Sequence, residues 1–268
     1  MTKASNMPEP IVGRQINREA VVVLGWGRAV LMQLAHPLVA AGVGDYSRFR
    51  EGAGSFVRRA RETIGAMLTI TFGSTDEAQA AIDRINAIHD RVHGTLREGV
   101  GLYPAGTPYS ARDPRLLLWV HATLIESMVL TYEGLVGPLT TDQKDRYAVE
   151  AACTTERLGI ATDQIPSTWA ALERYLADEY ASGRIVVGNY ARELADALLS
   201  PPVGPAAPAF RITRLITIGL LPPHIREGYG FEWDLRRERR FARALKTIRR
   251  VRENLPALLR EWPAARLH

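Results

Sequence analysis

Apolar positions recur at three- and four-residue intervals over most of the chain, which is the period of amphipathic helices. The clearest stretch covers residues 74–96, where Ala78, Ala81, Ile82, Ile85, Ile88, Val92 and Leu96 form one stripe. Ser74 and Glu77 read as a capping box at its start. His89 stands inside the stripe, four residues after Ile85 and three before Val92, while Asp90 and Arg91 point away from it. The same period predicts a helix over 56–72, with Phe56, Val57, Ala60, Ile64, Met67 and Leu68 on its core side. Arg59 and Thr63, four apart, share a face beside that stripe.

Residues 17–42 read as a buried helix bent at Pro37, because proline cannot donate to the helical ladder. Its polar groups, Arg28, Gln33 and His36, need partners inside an apolar run. Residues 115–133 form an apolar helix opened by Asp113-Pro114, expected at the centre of the fold because it is apolar nearly all round. His121, four residues from both Leu117 and Ile125, is expected to face inward there.

Further helices are predicted over 141–158, 167–182, 190–200 and 209–220, each bounded by Pro, Gly or a Ser/Thr cap. Residues 94–113, rich in glycine and proline, read as a connection without regular structure. The β-branched run 184–187 is too short to build a sheet. Without repeats or a long linker, the pattern predicts one all-α domain over 17–268, preceded by a mobile tail over 1–16.

Composition narrows the chemistry. A single cysteine, Cys153, excludes an intramolecular disulfide and a cysteine-pair metal site. The first sixteen residues hold no apolar block of a leader, and Arg28, Gln33, His36 and Pro37 interrupt the one stretch apolar enough to suggest a membrane span; a cytoplasmic location is expected. Net charge is +5, but residues 236–252 hold nine Arg or Lys against Glu238 alone, so the rest of the chain is acidic overall. That argues against nucleic acid as a partner of the whole protein. The basic segment, 234–255, is an amphipathic helix with Phe241, Leu245, Ile248 and Leu255 on one side. It has three readings: a packed helix with a solvated face, which leads, a peripheral membrane contact, or a nucleic-acid contact.

No GxxxxGK[ST] loop, HExxH, Glu-x-x-His or Gly-x-Ser-x-Gly occurs. What remains is histidine and arginine within helices. Either His89 is a core histidine satisfied by a hydrogen bond, or it is a metal or haem ligand. Likewise Arg59 belongs either to a solvated Arg58–Arg59–Arg61 face or to a site. Together these groups suit a planar anionic cofactor, with histidine on iron and arginine on propionates.

Particular residues carry a resemblance. They are Gln33-Leu-Ala-His36-Pro37, Gly42-Val43, Ser47, Arg59-x-x-x-Thr63, Phe72-Gly73, His89-x-x-Val92-x-Gly94, Tyr109-Ser110-Ala111, Asp113-Pro114 and Trp119-Val120-His121-Ala122-Thr123. In this order, over residues 21–176, they resemble the rubber-oxygenase catalytic-domain family, which includes the latex-clearing proteins and a fungal mycophenolic acid side-chain-cleaving oxygenase. The resemblance implies a globin-like multi-helix domain around haem b, with iron held by one proximal histidine and O2 on the opposite face. It assigns the proximal ligand to His89, with His93 as the alternative, and places Arg59 and Thr63 beside the haem pocket. Arg28, His36 and His121 are candidates for orienting the haem, with Arg28 or Arg59 meeting a propionate, and Asp45 is the candidate distal carboxylate. The implied activity is a haem-dependent oxygenase acting with O2 on a hydrophobic substrate, for instance an isoprenoid. A non-catalytic helical haem- or lipid-binding protein, open to membrane-surface contact, is the alternative. Glu62 departs from the pattern, standing where latex-clearing proteins have a lysine.

Overall fold

The computed structural model describes residues 11–46, 53–200 and 207–266, with the side chains of 53–61 outside that description. Its axis is helix α6 (Pro114–Leu135). Asp113 caps it by accepting the Arg115 N–H at 2.9 Å, and Pro114 fills a first-turn position that needs no N–H. Leu117, Trp119, Ala122, Ile125, Met128, Val129 and Leu135 are buried on several of its faces. Thr123, Ser127 and Thr131, spaced by four, form a buried hydroxyl ridge on one side. Each hydroxyl donates to the carbonyl four residues earlier, at 2.8, 2.5 and 2.6 Å, so the ridge packs without unsatisfied donors.

Helix α2 (Trp26–Leu34) lies on that ridge. Gly25 and Gly27 permit the approach: a Cβ at Gly25 would overlap the Thr131 hydroxyl, and one at Gly27 would overlap Thr217 of α10 (Ala207–Gly219). Arg28 then enters the core at 1% exposure. Its Nε donates to the Leu220 carbonyl at 2.8 Å, Nη1 to Ser127 Oγ at 2.6 Å and Nη2 to Glu126 at 2.7 Å. These three bonds tie α2 to α6 and to the end of α10.

Before Pro37 the chain turns through 109° into α3 (Pro37–Tyr46). The predicted bent helix over 17–42 is thus a 3-10 segment (Ala20–Gly25) followed by two helices. Among the described residues no single helix is long and apolar enough to cross a membrane.

The remaining helices surround this frame: α4 (Ala53–Phe72), α5 (Thr75–His89), α7 (Thr141–Arg157), α8 (Trp169–Ala181), α9 (Asn189–Leu199), α11 (Pro223–Gly228), α12 (Leu235–Glu253) and α13 (Ala257–Arg260). Capping boxes at Ser74/Glu77 and Thr140/Gln143 open α5 and α7. The all-α expectation holds, and the main buried cluster runs from Val12 to Tyr229.

Three expectations are corrected. Residues 11–16 are not tail: they belong to α1 (Ile11–Asn17), whose Val12 and Ile16 are buried and whose Val12 and Gly13 N–H groups donate to Glu150 at 3.2 and 2.7 Å. Residues 1–10 lie outside the described residues. The helix expected over 74–96 ends at His89, and the connection expected over 94–113 contains a hairpin, β1 (His93–Thr95) paired antiparallel with β2 (Pro108–Ser110). The physical reason is that long-range partners compete for backbone groups which the local apolar period would leave in a helix: Ala111 N–H donates to the Val92 carbonyl at 2.8 Å.

The Arg28 network generates a prediction. Arg28→Ala leaves the Glu126 carboxylate and the Ser127 hydroxyl without their partner, so urea unfolding is expected to show a loss of about 3 kcal/mol or more. Arg28→Lys should recover only part, because one ammonium cannot reproduce three divergent donors.

Candidate active site around His89

The last residue of α5, His89, reaches an apolar cavity of about 270 Å³. Leu38, Val39, Gly42 and Val43 of α3 form one wall, Val92, Tyr109, Ser110 and Ala111 of the hairpin region a second, and Leu116, Leu117 and Val120 of α6 a third. Glycine at 42 keeps the first wall low, since a Cβ there would stand 3.3 Å from Val92. His89 Nδ1 is buried and has no hydrogen-bond partner. Burial, and after it the Arg112 guanidinium, lowers the pKa of the ring, so His89 is a neutral imidazole.

Other histidines have different surroundings. His36 is buried outside this cavity. Its Nδ1 accepts the Leu38 N–H at 3.2 Å, which leaves the proton on Nε2 to be donated to the Tyr103 hydroxyl at 3.2 Å. Burial lowers its pKa to about 4. His121 meets the Thr155 hydroxyl through Nδ1, and burial lowers its pKa to about 3. His93 is exposed in β1 rather than one helical turn beyond His89. His224 is exposed as well.

A second cavity, of about 160 Å³, lies beyond the shared wall of Leu117 and Val120. Met67, Ile70, Ile85, Leu124 and Ile125 line it, together with His121 and Thr155. A larger recess, about 550 Å³, lies elsewhere, between α3, residues 96–101 and the start of α9. Of the candidate site residues it holds Asp45, which pairs with Arg97 at 2.6 Å and accepts a hydrogen bond from the Tyr109 hydroxyl at 2.8 Å. Chemistry, not volume, therefore selects the His89 cavity.

Thr63 is exposed on α4, and the Arg59 side chain, like Ser47, lies outside the described residues. Arg28 is engaged within the core by Glu126, Ser127 and Leu220. Among the described residues no group of three or more His, Cys, Asp or Glu is placed to hold a metal ion. An imidazole with an unpartnered nitrogen and a lowered pKa on an apolar wall is a side chain that could hold haem iron, were haem bound.

Sequence reasoning passed over Arg112. Its Nε donates to Asp90 at 2.7 Å, Nη1 to the Asn86 side chain at 2.7 Å and Nη2 to the Asn86 carbonyl at 3.2 Å. It therefore grips the last turn of α5 on both sides of His89. The only available signal was its position between two motif blocks, Tyr109-Ser110-Ala111 and Asp113-Pro114.

Comparison with known proteins adds to this geometry. Residues 13–250 match the family model described as "ER-bound oxygenase mpaB/B'/Rubber oxygenase, catalytic domain". The chain is 28% identical over 236 residues to the uncharacterized protein Mb2261 of Mycobacterium bovis, covering 85% of this chain and 87% of that one. The uncharacterized protein Rv2237 of Mycobacterium tuberculosis matches at the same identity and coverage. No solved structure matches the chain.

Two outcomes are expected. Because His36 titrates near 4 in the fold and at 6.5 when unfolded, the unfolded chain binds more protons between those values. Stability is then full above pH 6.5 and falls by about 3 kcal/mol as the pH drops to about 4. His36→Gln should flatten part of that slope in urea titrations, and an unchanged slope refutes the neutral assignment. Separately, Arg112→Ala should speed hydrogen exchange at amides 86–90 by about tenfold, with the start of α5 unaffected.

Proposed function

The chain belongs to the family of the ER-bound oxygenase mpaB/B' and rubber oxygenase catalytic domains, and from that membership we propose that it is a haem b oxygenase acting with O2 on a hydrophobic substrate. The observation that carries the haem assignment is His89. It combines a neutral ring, a buried Nδ1 without a partner and a place on the wall of an apolar cavity. His36 and His121 already have hydrogen-bond partners, and His93 is exposed, so His89 is the ligand of this reading.

Haem, when bound, supplies the iron that activates dioxygen. The chain's own residues do the rest. His89 would hold the iron through its imidazole, and the Arg112 grip on Asn86 and Asp90 sets where the end of α5 presents that ring. Leu38, Val39, Val43, Val92 and Val120 exclude water from that side of the cavity. Arg59 and Thr63, four apart on α4, are the groups proposed to steer oxygen by hydrogen bonding. The apolar cavity beyond Leu117 and Val120 suits an uncharged hydrocarbon chain, which makes isoprenoids the first substrates to try.

The test is the ultraviolet–visible spectrum of protein produced with haem precursor, beside His89→Ala. A Soret band in the parent that is lost or shifted in the variant establishes the ligand; its absence from the parent overturns the haem reading. Oxygen uptake with added isoprenoid alkenes, dependent on His89, then establishes turnover.

A further inference from the structure

The basic helix α12 has two sides that do different things. Its inner side packs: Phe241 lies against Gly219, Leu245 against Gly134, Arg249 donates to the Glu133 carbonyl, and Arg252 pairs with Glu19. Arg236, Arg239, Arg240, Arg243, Lys246 and Arg250 are all exposed. At 100° per residue these six fall within about a third of the helix circumference, along roughly 21 Å. None of the six side chains meets a carboxylate within ion-pair distance among the described residues. Because the rest of the chain is acidic overall, the stripe is a local, oriented field rather than part of a basic body.

Exposed leucines stand at both ends of α12 along the chain. Leu235, at the head of α12, is 75% exposed, and Leu258 and Leu259 of α13 are 67% and 64% exposed. Helix α13 is not a loose end. Glu261, just after it, bridges in backbone pairing to Glu19 and pairs with Arg18 at 2.5 Å, while Glu19 itself holds Arg252. The two leucines are thereby held close to Arg252 in the last turn of α12. They also lie beyond residues 13–250, the span matched by the family model.

We propose that the outer face of α12, together with Leu258 and Leu259, docks on an anionic lipid bilayer. Cations meet lipid phosphates and carboxylates at the surface, and the leucines enter the interfacial layer, the division of labour expected of an interfacial amphipathic element. Nucleic acid would satisfy the cations equally well. It would leave the exposed leucines unused, and no aromatic side chain lies in the stripe to stack on a base. The face does not depend on haem, so the docking stands or falls independently of the reading of His89.

The test is co-sedimentation of the full chain with phosphatidylcholine vesicles, with and without phosphatidylglycerol, across a salt series, beside binding to a duplex DNA 20-mer. Binding to the anionic vesicles alone, weakening with salt, is expected. The triple variant Arg239→Gln, Arg243→Gln, Arg250→Gln should weaken it about a hundredfold, since each surface cation contributes a factor of about five. Leu258→Ser with Leu259→Ser should weaken it about tenfold at constant charge. All five sites are exposed, so circular dichroism should be unchanged in both variants. The proposal is overturned if anionic vesicles are not bound at low salt, if the variants bind as the parent does, or if the duplex is bound more tightly than the vesicles.

Discussion

A guanidinium buried at 1% exposure must find partners in three directions, and the frame of this protein is built where Arg28 finds them. Glu126 and Ser127 come from one helix and the Leu220 carbonyl from the end of another, so satisfying the charge fixes how α2 crosses α6 and where α10 stops. Gly25 and Gly27 make the crossing close enough for those bonds. With that side of α6 committed to α2, Leu117, Val120 and His121 nearer its start are left to form the walls of two cavities.

Three histidines on the inner elements share one side-chain chemistry and differ only in company. His36 uses both ring nitrogens, capping α3 and holding Tyr103, and His121 is held by Thr155. His89 has neither kind of partner and borders apolar space. The protein holds the turn that bears it through Arg112, which bonds Asn86 and Asp90 but not the imidazole, and the ring nitrogen stays available.

Charge is separated in the same way. The cavity walls are apolar, and the exposed cations of α12 line the opposite side of that helix from Phe241 and Leu245. The hydrophobic substrate proposed for the His89 cavity would partition into membranes, and the docking face proposed on α12 would bring the protein to it without placing charge in that cavity.

Much of this was legible in the amino-acid order. Period and caps announced the helices: Ser74 with Glu77, Asp113 with Pro114, and an α6 too apolar to be peripheral. The placement of His89 within an apolar stripe was legible for the same reason, as was the one-sided charge of α12. Local pattern records which face of an element is apolar, but it does not record what that face meets. Only the tertiary structure turned residues 11–16 from tail to helix, because Glu150, 137 residues after Gly13, receives its N–H group. Only it ended α5 at His89 and made room for the hairpin, through bonds between Val92 and Ala111 and between Arg112 and Asn86. Arg28 and His36 read from sequence as candidates for orienting a cofactor because a buried polar residue must be satisfied by something; the protein partners they meet lie 98 and 67 residues away, and contacts over that distance are decided by packing.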